Sequence, residues 1–248
     1  MKLSLCMTCM NRLEYLSQTI DISINSIILF NQHNKNQFEL SLCNYDSKDG
    51  LHEFIFDNYQ KHIDSGLLVY TKVENKDSFF VSHAKNISYK YSNGTVLVNL
   101  DSDNIMNLNI LNFYNSVFSD SDIDNVYVID DNCWGIIGIS RNNFYNLGGY
   151  NEEMIGYGYE DIDLQERIQK YIKCNAIKLP SQFDYYNKNI IHQSPQTKYK
   201  NHHNVKPNGE ILKHLGEMME YNRGIKDNYL EKNIMNPNEY NGIEFGKI

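Results

Sequence analysis

A chain of 248 residues, 41% of them hydrophobic and 12% aromatic, is long enough to bury one sizeable core. Its net charge of −8, with no clustered Lys or Arg, argues against a nucleic-acid partner, because phosphate neutralisation needs a basic patch. An acidic protein that takes an anionic substrate needs a local cation to do so, often a metal ion.

The first residues, MKLSLCMTCM, lack the charged region, long apolar run and small-residue cleavage site of a signal peptide. Five cysteines at irregular positions suit reduced, mostly buried thiols, and a cytoplasmic location is expected. Cys6 and Cys9 form a lone CxxC set in strand-like residues, with no second pair to complete a zinc site, so core cysteines are expected. LSLCM (3–7) alternates with the period of a strand, and residues 11–30 pattern as an amphipathic helix. No window approaches 18 uninterrupted apolar residues, so no transmembrane helix is expected.

FELSLC (38–43) predicts a second strand, closed by the turn-rich NYDSKDG, then a helix over 51–63 and a third strand at LLVYTKV (67–73). Residues 82–92 pattern as a helix. TVLVNL (95–100) is an almost continuous apolar run ending in DSDN, as expected of a strand buried on both faces. A helix at 107–118 precedes strands at 126–130 and 133–140, a helix over 161–173, an extended stretch at 176–192 and a helix at 208–221. The last 25 residues are weakly patterned and read as a wrapping tail. Strand–helix alternation implies a doubly wound α/β sheet in a single domain.

In such sheets ligands sit outside the carboxyl ends of the strands. Asp101 and Asp103 leave a buried strand at such an end, and carboxylate oxygens suit Mg²⁺ or Mn²⁺ completed by substrate phosphates. A plain strand-terminating Asp/Asn turn is an equal reading of these residues. The calcium-loop imitation DSDIDNVYVIDD (120–131) has Asn125 at the turn position and strand residues in its second half, and reads as a solvated loop.

Four of the 14 glycines, Gly148, Gly149, Gly156 and Gly158, fall just before the acidic cluster Glu160, Asp161 and Asp163. Acids in a first helical turn oppose the helix dipole and need no further purpose. Glycines, however, let backbone approach a ligand closely and take positive φ, and Tyr157 and Tyr159 offer rings to sugar faces.

TCMNRLEYL (8–16), VSHAKNISYKYSNGTVLVNLDSDN (81–104), GISRNNFYNLGGYNEEMIGYGYEDIDLQERI (138–168) and IIHQ (190–193) together resemble the GT-A glycosyltransferases. The likeness is to the inverting family 2 and β-1,4-galactosyltransferase-like members that carry an ED motif. It implies a GT-A fold, a doubly wound mixed sheet flanked by helices, over 1–205; the likeness fails after about residue 200, and 206–248 is expected as a C-terminal helical extension packed on the same domain. By that resemblance Asp103 is a metal ligand and Asp101 faces the metal, a metal-bound water or the ribose, with Ser102 between them at the nucleotide sugar. Thr8, Asn11 and Arg12 wrap the nucleotide, Asp46 reads its base, and Lys85 lies near the diphosphate. His192 is the late metal ligand, with His202 and His203 as alternatives, and its imidazole favours Mn²⁺ over Ca²⁺. Lys198 and Lys200 are further candidates for the leaving diphosphate.

Asp161 is implied as catalytic base and Glu160 as the acceptor-holding acid, while Asp163 supports the helix. Tyr157, which stands where galactosyltransferase-like members have Trp, together with Trp134 and Tyr150, is a candidate acceptor platform. The implied activity is Mn²⁺- or Mg²⁺-dependent inverting transfer from a UDP-hexose or UDP-N-acetylhexosamine to a hydroxyl. A nucleotidyltransferase usually needs a glycine- and lysine-rich loop after the first strand, and TCMNRLEYL has no glycine. A nucleotide-sugar-binding module that lost turnover is the non-enzymatic alternative.

Overall fold

Period-two apolar residues give β1 (Lys2–Cys9) two buried faces: Leu3, Leu5, Met7 and Cys9 join one core, and Cys6 joins the other. The computed structural model describes residues 1–119, 122–130, 135–181 and 210–248, with only the backbone of 210–214. Its other strands are β2 (Gln37–Tyr45), β3 (Leu68–Val73), β4 (Val96–Asn99), β5 (Val126–Ile129), β6 (Ile137–Ser140) and β7 (Asn175–Lys178). They form one sheet in the order β3-β2-β1-β4-β6-β5-β7. All neighbouring pairs are parallel except those of β6, which runs antiparallel to β4 and β5.

Helices α1 (Leu13–His33), α2 (Leu51–Asp64) and α4 (Leu108–Ser119) cover one face through Leu16, Ile20, Ile55, Leu111 and Phe118. On the other face lie α3 (Val81–Tyr91), α5 (Arg141–Asn146) and α6 (Glu160–Tyr171), with Tyr89, Phe144, Leu164 and Ile168 in the second core. Each such large apolar side chain stabilises the fold by about 1.5–3 kcal/mol when buried. The free thiols of Cys6, Cys9 and Cys43 are buried, and burial pushes Cys6 and Cys9 up to about 12. They are core residues, as expected.

Strand order reverses between β1 and β4, so the loops after these two strands border one crevice. Because β6 is antiparallel to β4, with Val98 opposite Gly138, the segment entering β6 lies beside the residues leaving β4. That register brings Gly135 to the DSDN loop.

The glycine-rich approach to α6 is pinned by buried polar side chains. Asn86 accepts from the Tyr150 N–H at 2.8 Å and donates to its carbonyl at 2.9 Å. Asn238 donates to the Gly148 and Tyr150 carbonyls at 2.7 and 2.8 Å. Gly148 and Gly149 have φ of 71° and 72°. A Cβ on Gly148 would stand 1.8 Å from Asn236 Oδ1, and one on Gly149 2.6 Å from Asn86 Oδ1. Only glycine passes both positions.

Arg167, wholly buried, donates to the Leu147 carbonyl at 2.8 Å, the Gly149 carbonyl at 2.9 Å and Asp163 Oδ2 at 2.5 and 2.9 Å. Asp163 thus supports the helix and neighbouring backbone. Arg167→Met is expected to cost about 3–5 kcal/mol at neutral pH, because it strands a buried carboxylate. Denaturant unfolding checks this, and a loss under about 1 kcal/mol would mean Asp163 finds other compensation.

One sequence expectation is corrected. The C-terminal helix α7 (Glu210–Glu231) extends ten residues past its predicted end. Its inward stripe continues through Asn222, Lys226 and Tyr229, whose polar atoms hid the periodicity. The tail then makes a further helical turn, Pro237–Tyr240, capped by Asn236, and α5 was not anticipated at all.

Candidate active site

Three strand-end loops meet at the crevice. Asn11, at φ 53°, bridges to the second loop: its N–H donates to Ser47 Oγ at 3.1 Å, and its Oδ1 accepts from the Lys48 N–H at 2.7 Å. Thr8, partly buried, stands one residue before the end of β1, opposite Cys43. Arg12 turns instead to the third loop, where its Nη2 donates to Asp103 Oδ2 at 2.9 Å. Both side chains are buried, 9% and 4% exposed, and the guanidinium lies over the Tyr15 ring at 4.7 Å. The first loop therefore ties the second and third loops together, and Arg12 serves the acidic motif.

Asp46 sits beside a cleft of about 290 Å³ lined by Lys48, His52, Lys72, Glu74 and Asn75. Its Oδ1 lies 2.5 Å from Lys48 Nζ and its Oδ2 accepts from the Lys76 N–H at 2.8 Å. Burial opposes its charge, but these hydrogen bonds and the nearby lysines outweigh it and hold the carboxyl below its ordinary value.

Ser102 is buried, and its carbonyl accepts from Thr19 Oγ1 at 2.7 Å, so it anchors the loop to α1. Asp101 Oδ1 accepts from Asn99 Nδ2 at 3.1 Å, and the same amide donates to the Gly135 carbonyl at 2.8 Å. A Cβ added to Gly135 would lie 3.3 Å from Asp161 Oδ2 and 3.6 Å from Asp101 Oδ2. Asp101, from β4, and Asp161, from α6, thus flank this one glycine.

Gly135 was not singled out in the sequence. Only the β4–β6 register reveals it. Gly135→Ala is expected to lower kcat about tenfold or more with little loss of thermal stability, since its methyl would crowd both carboxylates. Steady-state kinetics alongside a melting curve check this.

Lys85 projects from α3 into the same space. Its Nζ donates to Asp161 Oδ1 at 2.6 Å and Glu160 Oε1 at 3.2 Å, and stands 5.0 Å from the centre of the Tyr150 ring. Burial works to discharge this lysine, yet Asp161, Glu160 and Asp101 outweigh it and keep it firmly protonated. Burial chiefly pushes Asp161 up to about 8; Lys85 opposes the rise, and Glu160 and Asp101 add to it. Asp161 Oδ1 is engaged by Lys85, while Oδ2 faces Gly135.

Tyr150, a sugar platform in the sequence reading, is fully buried against Tyr89 and Phe144 and forms the floor under Lys85. It is a core residue, and that expectation is withdrawn. Tyr157 is 48% exposed. Partial burial, then Glu160, Asp101 and Asp161, hold its phenol above the ordinary value. Tyr159 enters α6 at φ 71°, a strained conformation for a tyrosine. Trp134, His192, Lys198, Lys200, His202 and His203 lie outside the described residues.

Among the described residues no group of three or more His, Cys, Asp or Glu forms a metal cage. Asp101 and Asp103 nonetheless offer hard oxygens at one strand end. Asp103 is already matched to a cation by Arg12, and the buried Asn104 Oδ1 beside it has no hydrogen-bond partner among the described residues. This donor set fits Mn²⁺ or Mg²⁺ completed by substrate oxygens.

Residues 120–192, under a third of the chain, match the family described as the N-terminal domain of galactosyltransferase. The fold matches S. aureus TarS 1-349 in complex with UDP-GlcNAc, with TM-score 0.58 and 16% identity over 75% of this chain and 58% of that one. It also matches the mannosyltransferase PcManGT from Pyrobaculum calidifontis, in complex with GDP-Man and Mn²⁺, with TM-score 0.57 and 16% identity over 72% of this chain and 55% of that one. The chain thus spans little more than half of either structure. No curated protein sequence matches it. The fold is that of the GT-A glycosyltransferases, as the sequence resemblance implied.

Proposed function

We propose that this chain is a metal-dependent inverting glycosyltransferase, moving a hexose or N-acetylhexosamine from a UDP-sugar to a hydroxyl of a glycan or other acceptor. The observation that carries the reading is Asp161: a carboxylate with a raised pKa, one oxygen held by Lys85 and the other facing Asp101 across Gly135. TarS with UDP-GlcNAc and PcManGT with GDP-Man and Mn²⁺ share the fold, which supports a nucleotide-sugar donor and a divalent ion.

In this reading Asp103 and Asp101 hold Mn²⁺ or Mg²⁺, with His192 as a further ligand. The bound ion would neutralise the departing diphosphate. Asp161 Oδ2 accepts the proton of the acceptor hydroxyl as its oxygen attacks the anomeric carbon. The bond from that carbon to the diphosphate oxygen breaks on the opposite face, so configuration inverts. Lys85 keeps Asp161 in place and partly ionised, Glu160 and Tyr157 hold the acceptor, and Asp46 with its cleft receives the nucleotide base. The buried side chain of Ser102 supports an anchoring role rather than donor contact.

The base works only when ionised. Because the pKa of Asp161 is raised, kcat/KM is expected to climb with pH through a midpoint near 8 and to level off only above it. Lys85→Met removes the opposing ammonium and is expected to move that midpoint upward. A flat profile from pH 6 to 9 (about one decade of rate or more is expected across it) would remove Asp161 from the base role. The reaction class is tested by calorimetry of UDP with and without Mn²⁺, and by NMR of the product's anomeric proton. Mn²⁺-dependent UDP binding and inverted configuration support the proposal, and retained configuration contradicts it.

A further inference from the structure

The acceptor loop is held by a helix that lies outside the segment matching the galactosyltransferase family. The inward stripe of α7 is Leu215, Met218, Asn222, Lys226 and Tyr229, all buried at helical spacing. At its middle, Asn222 is 1% exposed and spends every amide atom on the backbone of Ile155 and Gly158. Its Oδ1 accepts from the Ile155 N–H at 3.0 Å, and its Nδ2 donates to the Ile155 and Gly158 carbonyls, both at 2.9 Å.

The contact continues on both sides. A Cβ on Gly158, where φ is 95°, would lie 2.9 Å from Met219 Cγ, so the helix and loop backbone touch over that glycine. Lower on the helix, Lys226 pairs with Glu166 of α6 at 2.7 Å, and the Tyr229 hydroxyl donates to Glu153. Gly158 is two residues before Glu160 and three before Asp161. Ile155, Tyr157 and Met219 remain 39%, 48% and 38% exposed, an apolar lip along this loop.

We propose that Asn222 is a positioning residue for the acceptor, holding residues 155–158 so that Tyr157 and the turn into Glu160 and Asp161 present one fixed rim to the acceptor sugar. Asn222 touches neither substrate and acts through the loop backbone. The inference rests on reading this loop as the acceptor side. A lost amide clamp frees the rim but leaves Arg12, Asp101 and Asp103 untouched, so acceptor binding weakens and donor binding does not.

The test compares wild type with Asn222→Ala and Asn222→Asp, and uses Glu220→Ala, an exposed change on the same helix, as a control. Donor hydrolysis by water is measured beside transfer to a panel of p-nitrophenyl hexosides. The expected result is an acceptor KM raised about tenfold or more, with donor KM and hydrolysis within about twofold of wild type. Asn222→Asp keeps an oxygen to accept from the Ile155 N–H but loses both donations, and is expected to fall in the same direction. Hydrogen exchange supplies a readout independent of activity: amides of 155–159 should exchange faster in Asn222→Ala while those of β1 and β4 do not change. Unchanged acceptor KM, equal losses of hydrolysis and transfer, or unchanged exchange at 155–159 would each overturn the role of Asn222. A wild-type protein that binds no nucleotide sugar would instead overturn the transferase reading itself.

Discussion

Asp161→Asn is expected to reduce glycosyl transfer about a hundred- to ten-thousand-fold while leaving the fold and donor KM close to wild type. The amide keeps an oxygen for Lys85 Nζ, which lies 2.6 Å from Oδ1, so the lysine retains a partner. It cannot accept the acceptor's proton at the position facing Gly135. Because Asn is nearly isosteric, the melting temperature separates a chemical defect from misfolding. Transfer within about tenfold of wild type would assign the base elsewhere, Glu160, which shares Lys85, being one alternative carboxylate.

Asp103→Asn carries the second large effect, on binding and on stability together. The substitution removes the charge that faces Arg12 at 2.9 Å in a buried pair. An uncompensated buried guanidinium is expected to cost about 3–5 kcal/mol of unfolding free energy. Mn²⁺-dependent donor binding should also disappear, because a neutral amide is a poor partner for a hard divalent ion. The double change Arg12→Met with Asp103→Asn separates the two consequences. Stability should largely return, since the stranded charge has gone, while metal-dependent binding stays lost. If binding also returns, Asp103 is not a metal ligand.

The first 119 residues were legible because their strands and helices follow simple periods. LSLCM alternates and TVLVNL is buried from Val96 onward, and both became adjacent parallel strands with the polar loops at one end. The acidic pair DSDN and the cluster EDID were legible as residues, but their mutual distance was not. That distance depends on β6 running antiparallel beside β4, which places Gly135 between Asp101 and Asp161. A local pattern carries no signal of such a long-range register.

Lys85 and Arg12 show a similar gap. Both were expected at the nucleotide, and each is also paired with carboxylates of the site, Lys85 with Asp161 and Glu160, Arg12 with Asp103. Nothing in the order of residues sets those pairings, because each spans some 75 to 91 positions. Tyr150 was misjudged because an aromatic ring in a loop resembles a platform until its burial is known. The end of α7 was missed for the opposite reason: Asn222 and Lys226 are polar residues on a buried face, satisfied by partners that only the fold supplies. The glycines before α6 now have distinct purposes. Gly148 and Gly149 let the loop pass Asn236 and Asn86, and Gly158 lets it pass Met219 on its way to the carboxylates.

The most direct measurement is nucleoside-diphosphate release from a panel of UDP- and GDP-sugars, with Mn²⁺ and with chelator, for wild type and Asp161→Asn side by side. The account predicts Mn²⁺-dependent release from at least one UDP-sugar, accelerated by a hydroxyl acceptor in wild type and not in the variant. No release from any donor, or release indifferent to both chelator and Asp161, would contradict it.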